Sequence, residues 1–164
     1  MKKSNWNGLL DAIFLPPRNW VLNKALKFKS DDLDDREVSM LLDCKVDVYD
    51  NGRNTATITV PAKYITDLAS VPRICWAFIA PFDVARAAIV HDLLYKSIRQ
   101  YRWKKGVIEE DKEVIENAKV EADKVLLLAM KDAEPKVSGW KIYSAWKAVD
   151  LFGRWSIIPN EDNI

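Results

Sequence analysis

Histidine occurs once in the 164 residues, at position 91, and cysteine twice, at positions 44 and 75. Two cysteines so placed match neither the paired spacings of a zinc site nor a redox motif. One bridge is the most they can form, and they read as free, buried thiols. A surplus of one charge is also missing. The 25 lysines and arginines stand against 24 aspartates and glutamates, for a net charge of +1. That balance excludes the broad basic footprint of a nucleic-acid-binding protein, so no nucleic-acid partner is expected. No run approaches the roughly 18 consecutive apolar residues of a membrane helix, so no transmembrane segment is expected. The N-terminal apolar run is broken by Asn7, Gly8 and Asp11 and lacks a small-residue cleavage site. Secretion by a signal peptide is therefore not expected, and the protein should stay soluble where it is made. No P-loop and no nucleophile elbow of a serine hydrolase is present, so any nucleophile would be water.

Hydrophobic residues make up 49% of the chain and charged residues 30%, which permits one soluble domain with a sizeable core. Seven tryptophans exceed what that core needs. Most would fill the interior, and some would meet protein or lipid. Residues 5–14 allow one or two turns of amphipathic helix, ended by Pro16-Pro17. Arg18 to Phe28 fits a strand. Ser30 to Glu37 holds five acids and reads as a solvated loop, or as a carboxylate cluster lacking the glycine and closing glutamate of an EF-hand. Met40 to Val48 alternates as a strand, with Cys44, Val46 and Val48 on one face. Asn51-Gly52 marks a hairpin turn and residues 55–60 return. The expected fold is α+β, with a small antiparallel sheet in the N-terminal third packed against three to four helices.

The helices follow. A short one over 74–80 ends at Pro81, and Asp83 would cap a second that runs through His91 to about Arg99. Gln100 to Gly106 reads as a basic, aromatic connection. Ile108 to Ala133 is the longest helical pattern, with Ile115, Ala122, Leu126 and Met130 as its buried stripe. Ser138 would cap a last helix over 139–152, with Gly153 as its C-cap.

On the second helix, His91 and Tyr95 are four apart and share a face with Val84, Ala87, Ala88, Leu94 and Ile98. Asp92 is turned about 100° away. Asp123 adjoins an apolar stripe on the long helix, where an ionised carboxylate is costly unless paired. That cost argues for bringing Asp123 to His91 or Tyr95. Asp123 would then orient the ring and leave its far nitrogen free to take a proton from water. His91, Asp123 and Tyr95 are the candidate catalytic residues, and Asp92 and Asp67 the candidate ligands of calcium or another hard cation. An equally available reading is a buried network that only locks two helices together. Thr66, Ser70, Pro72 and Arg73 belong to a loop whose polar groups point inward, where Asp67 can also serve as a cap. Arg73 and Arg86 are expected to pair with these acids.

Four stretches occur in order: ValProAlaLysTyrIleThrAspLeuAlaSerValProArg, AlaAlaIleValHisAspLeuLeuTyr, GluAlaAspLysValLeuLeuLeuAlaMet and AlaValAspLeuPheGlyArgTrp. Together they resemble the DUF1353 family of phage and prophage proteins. The resemblance implies a single domain over 1–164, with an N-terminal extension and first strand over 1–39, a core over 40–155 and a tail over 156–164. The extension, with a charged insertion around Lys104 to Lys119, would serve a partner. His91, Asp92, Tyr95 and Asp123 also resemble the helix pair of secreted phospholipases A2. That likeness implies a histidine base, a calcium-binding Asp92 and supporting Tyr95 and Asp123, although the glycine-rich calcium loop and the stapling cysteines are missing.

Two functions follow as expectations. One is a virion-associated or assembly protein of tail or adaptor type, resident in the virion or the host cytoplasm. Its partners would be other virion proteins, with oligomerisation and lipid contact open. The other is a small metal-assisted hydrolase of lipid or another ester, with calcium as its cofactor.

Overall fold

A computed structural model describes residues 6–50, 56–67, 84–106 and 111–164. The Asn51-Gly52 turn, the expected helix over 74–80, Cys75 and the Asp83 cap fall outside the described residues. The α+β architecture is present, with two three-stranded antiparallel sheets in the N-terminal part where a single sheet was expected.

The first sheet has the order β1 (Ala12–Leu15), β2 (Asn19–Leu22), β6 (Ile65–Thr66). The second has the order β3 (Leu26–Ser30), β5 (Ala56–Val60), β4 (Val48–Asp50). Alternation explains the second: Leu26, Phe28 and Ser30 point inward and Lys27 and Lys29 outward, and Ala56, Ile58 and Val60 repeat the pattern opposite. Phe28 and Ile58 face each other across the ladder and are fully buried. Each contributes about 1.5–3 kcal/mol by leaving water.

The strand expected over 18–28 is two strands in different sheets. The break falls at Asn23, whose side chain donates to Asp11 Oδ1 at 2.8 Å while its backbone N–H donates to the Asp11 carbonyl. Lys24 pairs with the same carboxylate. These polar contacts turn the chain from one sheet to the other.

No helix forms in the described part of residues 5–14. Asn7 takes the place of a strand neighbour instead. Its N–H donates to the Lys27 carbonyl, its Oδ1 accepts from Lys27 N–H at 2.7 Å, and its Nδ2 donates to the Ala25 carbonyl. Gly8, at φ +147°, bends the chain beyond this hook, and β1 begins at Ala12.

The acidic stretch is a loop over residues 31–34 that leads directly into a helix. Asp34 accepts from the Glu37 backbone N–H, and Glu37 accepts from the Asp34 backbone N–H, both at 2.9 Å. This capping box opens α1 (Asp35–Asp43), which buries Val38 and Leu41. The acids at its first turn also complement the helix dipole. The strand expected over 40–48 is therefore helix to Asp43, then a turn at Lys45 (φ +58°). Cys44, Val46 and Val48 share a buried side as expected, though the ladder begins only at Val48. Cys44 is a free buried thiol, pushed up to about 12 by burial first and then by the charge of Asp111.

Helix α2 (Ala85–Lys105) continues past Arg99 through the supposed basic connection, because neither glycine nor proline interrupts it before Gly106. Arg99 and Arg102 tie this helix to residues 156–163: they donate to the carbonyls of Asn163, Ser156 and Ile157. Helix α3 (Lys112–Lys131) lies at the centre, against α1, α2 and α4 (Gly139–Ser156). Helix α2 in turn packs on β5 and β3. Ile89, Leu94, Ile98, Leu126 and Met130 are fully buried at these contacts. Among the described residues no helix is long and apolar enough to cross a membrane.

Candidate functional site

The predicted meeting of α2 and α3 occurs. His91 and Tyr95 pack one helical turn apart, ring centroids 4.0 Å from each other and planes tilted by 46°. Both reach one oxygen of Asp123: His91 Nε2 lies 2.9 Å from Oδ1, and the Tyr95 hydroxyl donates to Oδ1 at 2.6 Å. The other oxygen is taken by Lys119, one turn earlier on α3, at 2.7 Å. Lys119 also donates to the Asp150 carbonyl of α4 at 3.2 Å. All four side chains are buried. A carboxylate in such a place is tolerable because it accepts from three partners and carries a cation at contact distance. Burial alone would raise the Asp123 carboxyl. The hydrogen bond and charge of His91, with the hydrogen bonds of Lys119 and Tyr95, outweigh it and hold the group below its ordinary value. Tyr95 moves the other way, raised by burial and then by the Asp123 charge.

A carboxylate can only accept, so His91 Nε2 carries the hydrogen and Nδ1 offers its lone pair in the neutral ring. Nδ1 is buried and has no partner among the described residues.

Helix α4 closes the network through Gly153. A Cβ there would collide with the Tyr95 hydroxyl and would sit 3.2 Å from Lys119 Cε. Gly153 is not the expected C-cap: the helix continues to Ser156, and the glycine is buried within it. Its lack of a side chain is what lets α4 approach α2 and α3 so closely.

Beside the network lies a cleft of about 510 Å³, lined by Tyr95 and Gly153 together with Tyr64, Asp92, Lys96 and Arg99 among others. His91 and Asp123 are not part of its lining; Tyr95 is the member of the network that reaches it. Asp92 accepts from the Tyr64 hydroxyl at 2.9 Å, and Arg99 stands 3.8 Å from its other oxygen. Burial, then the Asp92 charge, raises Tyr64.

Asp67 and Thr66 also line the cleft, Asp67 exposed and Thr66 buried in β6. The structure thus brings His91, Tyr95 and Asp123 together, and Asp92 and Asp67 to one cleft beside them. Ser70, Pro72 and Arg73 lie outside the described residues. Arg86 does not pair with these acids: it donates to the Gly8 carbonyl and stacks over Trp6. No group of three acidic, histidine or cysteine side chains able to hold a metal occurs among the described residues. Asp92 is engaged by Tyr64 and Arg99, so the described residues do not form a calcium cradle.

Sequence reasoning missed Lys119, Tyr64 and Gly153. Lys119 carried a readable signal, since it stands four residues before Asp123 on the same helix. Gly153 reads from the sequence as a C-cap, whereas its role is the close approach of α4 to Tyr95. Nothing near Tyr64 in the chain pointed to Asp92.

These features define a small α+β protein whose three long helices are tied by a buried His–Asp–Tyr–Lys network beside an open cleft. The chain belongs to the DUF1353 family, described as proteins of unknown function, whose model matches residues 43–149. The match includes every side chain of the network, and the α4 glycine lies just beyond it. Neither the curated proteins nor the solved structures contain a match to this chain.

Proposed function

We propose that the chain is a small ester hydrolase in which His91, held by Asp123, takes the proton of an attacking water. The observation that carries this reading is the unequal use of the two ring nitrogens. Nε2 is fixed by a carboxylate that is itself fixed by Tyr95 and Lys119, while Nδ1 is unpartnered among the described residues. A buried polar atom without a partner costs about 1–3 kcal/mol, and sites of reaction are where such costs are retained. Asp123 would set the ring orientation and stabilise the imidazolium that forms on proton transfer. Tyr95, which bonds Asp123 and lines the cleft, would connect the dyad to the substrate. The likeness to the phospholipase A2 helix pair agrees with these roles for His91, Tyr95 and Asp123. It does not extend to calcium, for which the described donors do not fit, so no step here uses a metal.

The test is turnover of a panel of nitrophenyl and lipid esters by wild type, His91→Gln and Asp123→Asn, with folding followed by circular dichroism. The expected result is loss of about 10²–10⁴-fold in rate with the fold retained. Turnover equal in wild type and His91→Gln, or none in wild type at high enzyme concentration, would sink the reading.

A second reading is a virion-associated or assembly protein, of tail or adaptor type, with the network as a lock between helices. The full burial of His91 and the large apolar side chains left exposed on β1 and α4 favour it. It places the protein in a phage particle or the host cytoplasm, joined to other virion proteins. Mass spectrometry of purified particles should then find the protein at fixed stoichiometry; its absence would rule this out.

A further inference from the structure

Helix α4 buries one side against α3, through Ile142, Ala145, Val149 and Gly153. At about 100° per residue, the opposite side carries Trp140, Tyr143, Lys147, Leu151, Arg154 and Trp155. An outward face of a soluble helix is ordinarily charged and mixed in sign. This one is dominated by aromatic and apolar side chains: Tyr143 is 59% exposed, Leu151 56% and Trp155 65%, with Ser144 among them and Asp150 at the edge beside Lys147. From Trp140 to Trp155 it extends roughly 22 Å along the helix. Ile158, also exposed, prolongs it beyond the helix end.

We propose that this face of α4 is a docking surface for an anionic lipid bilayer. Two features select lipid over other occupants. Tryptophan and tyrosine rings are suited to the boundary between headgroups and acyl chains, with an apolar body and a polar edge. The helix as a whole is cationic: α4 carries Lys141, Lys147 and Arg154 against the single acid Asp150, while the whole chain is almost neutral. The charge is thus concentrated beside the aromatic rings, where an anionic surface would meet it. The existing partners of these cations are exposed pairs, Lys147 with Asp150 at 2.7 Å and Arg154 with Glu116 at 3.6 Å. Such pairs contribute little and exchange readily for phosphate oxygens.

The face is separate from the cleft: the α4 residues that line the cleft, Val149, Phe152, Gly153 and Ser156, lie on the opposite side of the helix. The surface is independent of the role proposed for His91, and it stands or falls by binding alone.

The experiment is co-sedimentation of the full chain, with tryptophan fluorescence, on vesicles of phosphatidylcholine alone and of phosphatidylcholine mixed with phosphatidylglycerol. The His91→Gln chain is run in parallel, so that binding is read without any chemistry. The expected result is binding to the anionic vesicles only, weakened by salt. Lys147→Gln with Arg154→Gln should lower the partition coefficient roughly thirtyfold, and Leu151→Ser with Trp155→Ser should abolish the fluorescence shift. These positions are exposed, and thermal unfolding checks that the variants fold. Absence of binding to both vesicles, or binding unchanged by both double variants, overturns the proposal. So does a stable dimer that Trp155→Ser dissociates and that leaves the vesicles unbound, which would assign the face to a second copy of the chain.

Discussion

Asp123 holds the buried polar groups together, and its removal should be felt in more than one observable. Its carboxyl lies below the ordinary 3.8 in the folded chain, so on acidification the unfolded chain takes up the proton first. Asp123 therefore stabilises the fold fully above the ordinary value, and that contribution is lost as pH falls through the folded one. The melting temperature of wild type should drop steeply between about pH 5 and pH 2, and that of Asp123→Asn should start lower and change less over the same interval. An equal slope in both proteins would contradict the assignment. Lys119→Met tests the other oxygen. Removing one member of a buried ion pair costs about 3–5 kcal/mol, measurable by denaturant unfolding. Gly153→Ala adds one methyl where the Tyr95 hydroxyl already stands, and should destabilise by about 1–3 kcal/mol. Gly153→Ala combined with Tyr95→Phe should recover part of that loss, because the colliding oxygen is gone.

Among the elements, α1 is the one whose existence depends most on its first turn. The Asp34–Glu37 box satisfies two backbone donors that no helix carbonyl can reach. Asp34→Ala should lower stability by about 1 kcal/mol, read by chemical denaturation, with the effect confined to α1 in hydrogen exchange. The box is legible in the sequence as Asp-x-x-Glu before an apolar pair, but five acids within eight residues also read as a solvated or cation-binding loop. The long helices were legible because their apolar stripes repeat over many turns, and that repetition placed His91, Tyr95 and Asp123 on facing sides. Boundaries were less so. Residues 100–105 look like a basic loop by composition, yet Arg102 donates to the Ile157 carbonyl, as Arg99 just before the stretch does to that of Asn163, a tertiary use that no local pattern records. The helix expected over 5–14 failed for the same reason, because Asn7 pairs with a strand twenty residues away.

At the scale of the whole molecule, the ionisable groups bound the pH range in which it holds together. Asp123 sets the acid edge. Tyr95 and Tyr64 contribute to the alkaline edge, since both are raised in the folded state, by burial first and then by the neighbouring carboxylates. Their stabilisation is complete below the ordinary value of 10.0 and is lost as pH rises above it. Ultraviolet titration should find their phenols ionising only with alkaline unfolding. The two-sheet division was not visible in the sequence, because each strand is short and the choice of partner depends on contacts far along the chain. The α+β class was visible, because strand-like alternation is confined to the first third and helical periodicity to the rest.

The order β3–β5–β4 also has a kinetic side. Strand β5 meets β4 across a short connection and β3 across one that contains all of α1. Closing the short loop costs less chain entropy, so the β4–β5 hairpin should form on the way to the transition state, and β3 should dock late. Ile58→Val should then mainly slow folding, whereas Phe28→Leu should mainly speed unfolding. Stopped-flow chevrons of the two variants would separate the steps, and they bear on whether the sheet is finished before or after the helices that carry His91 and Asp123 come together.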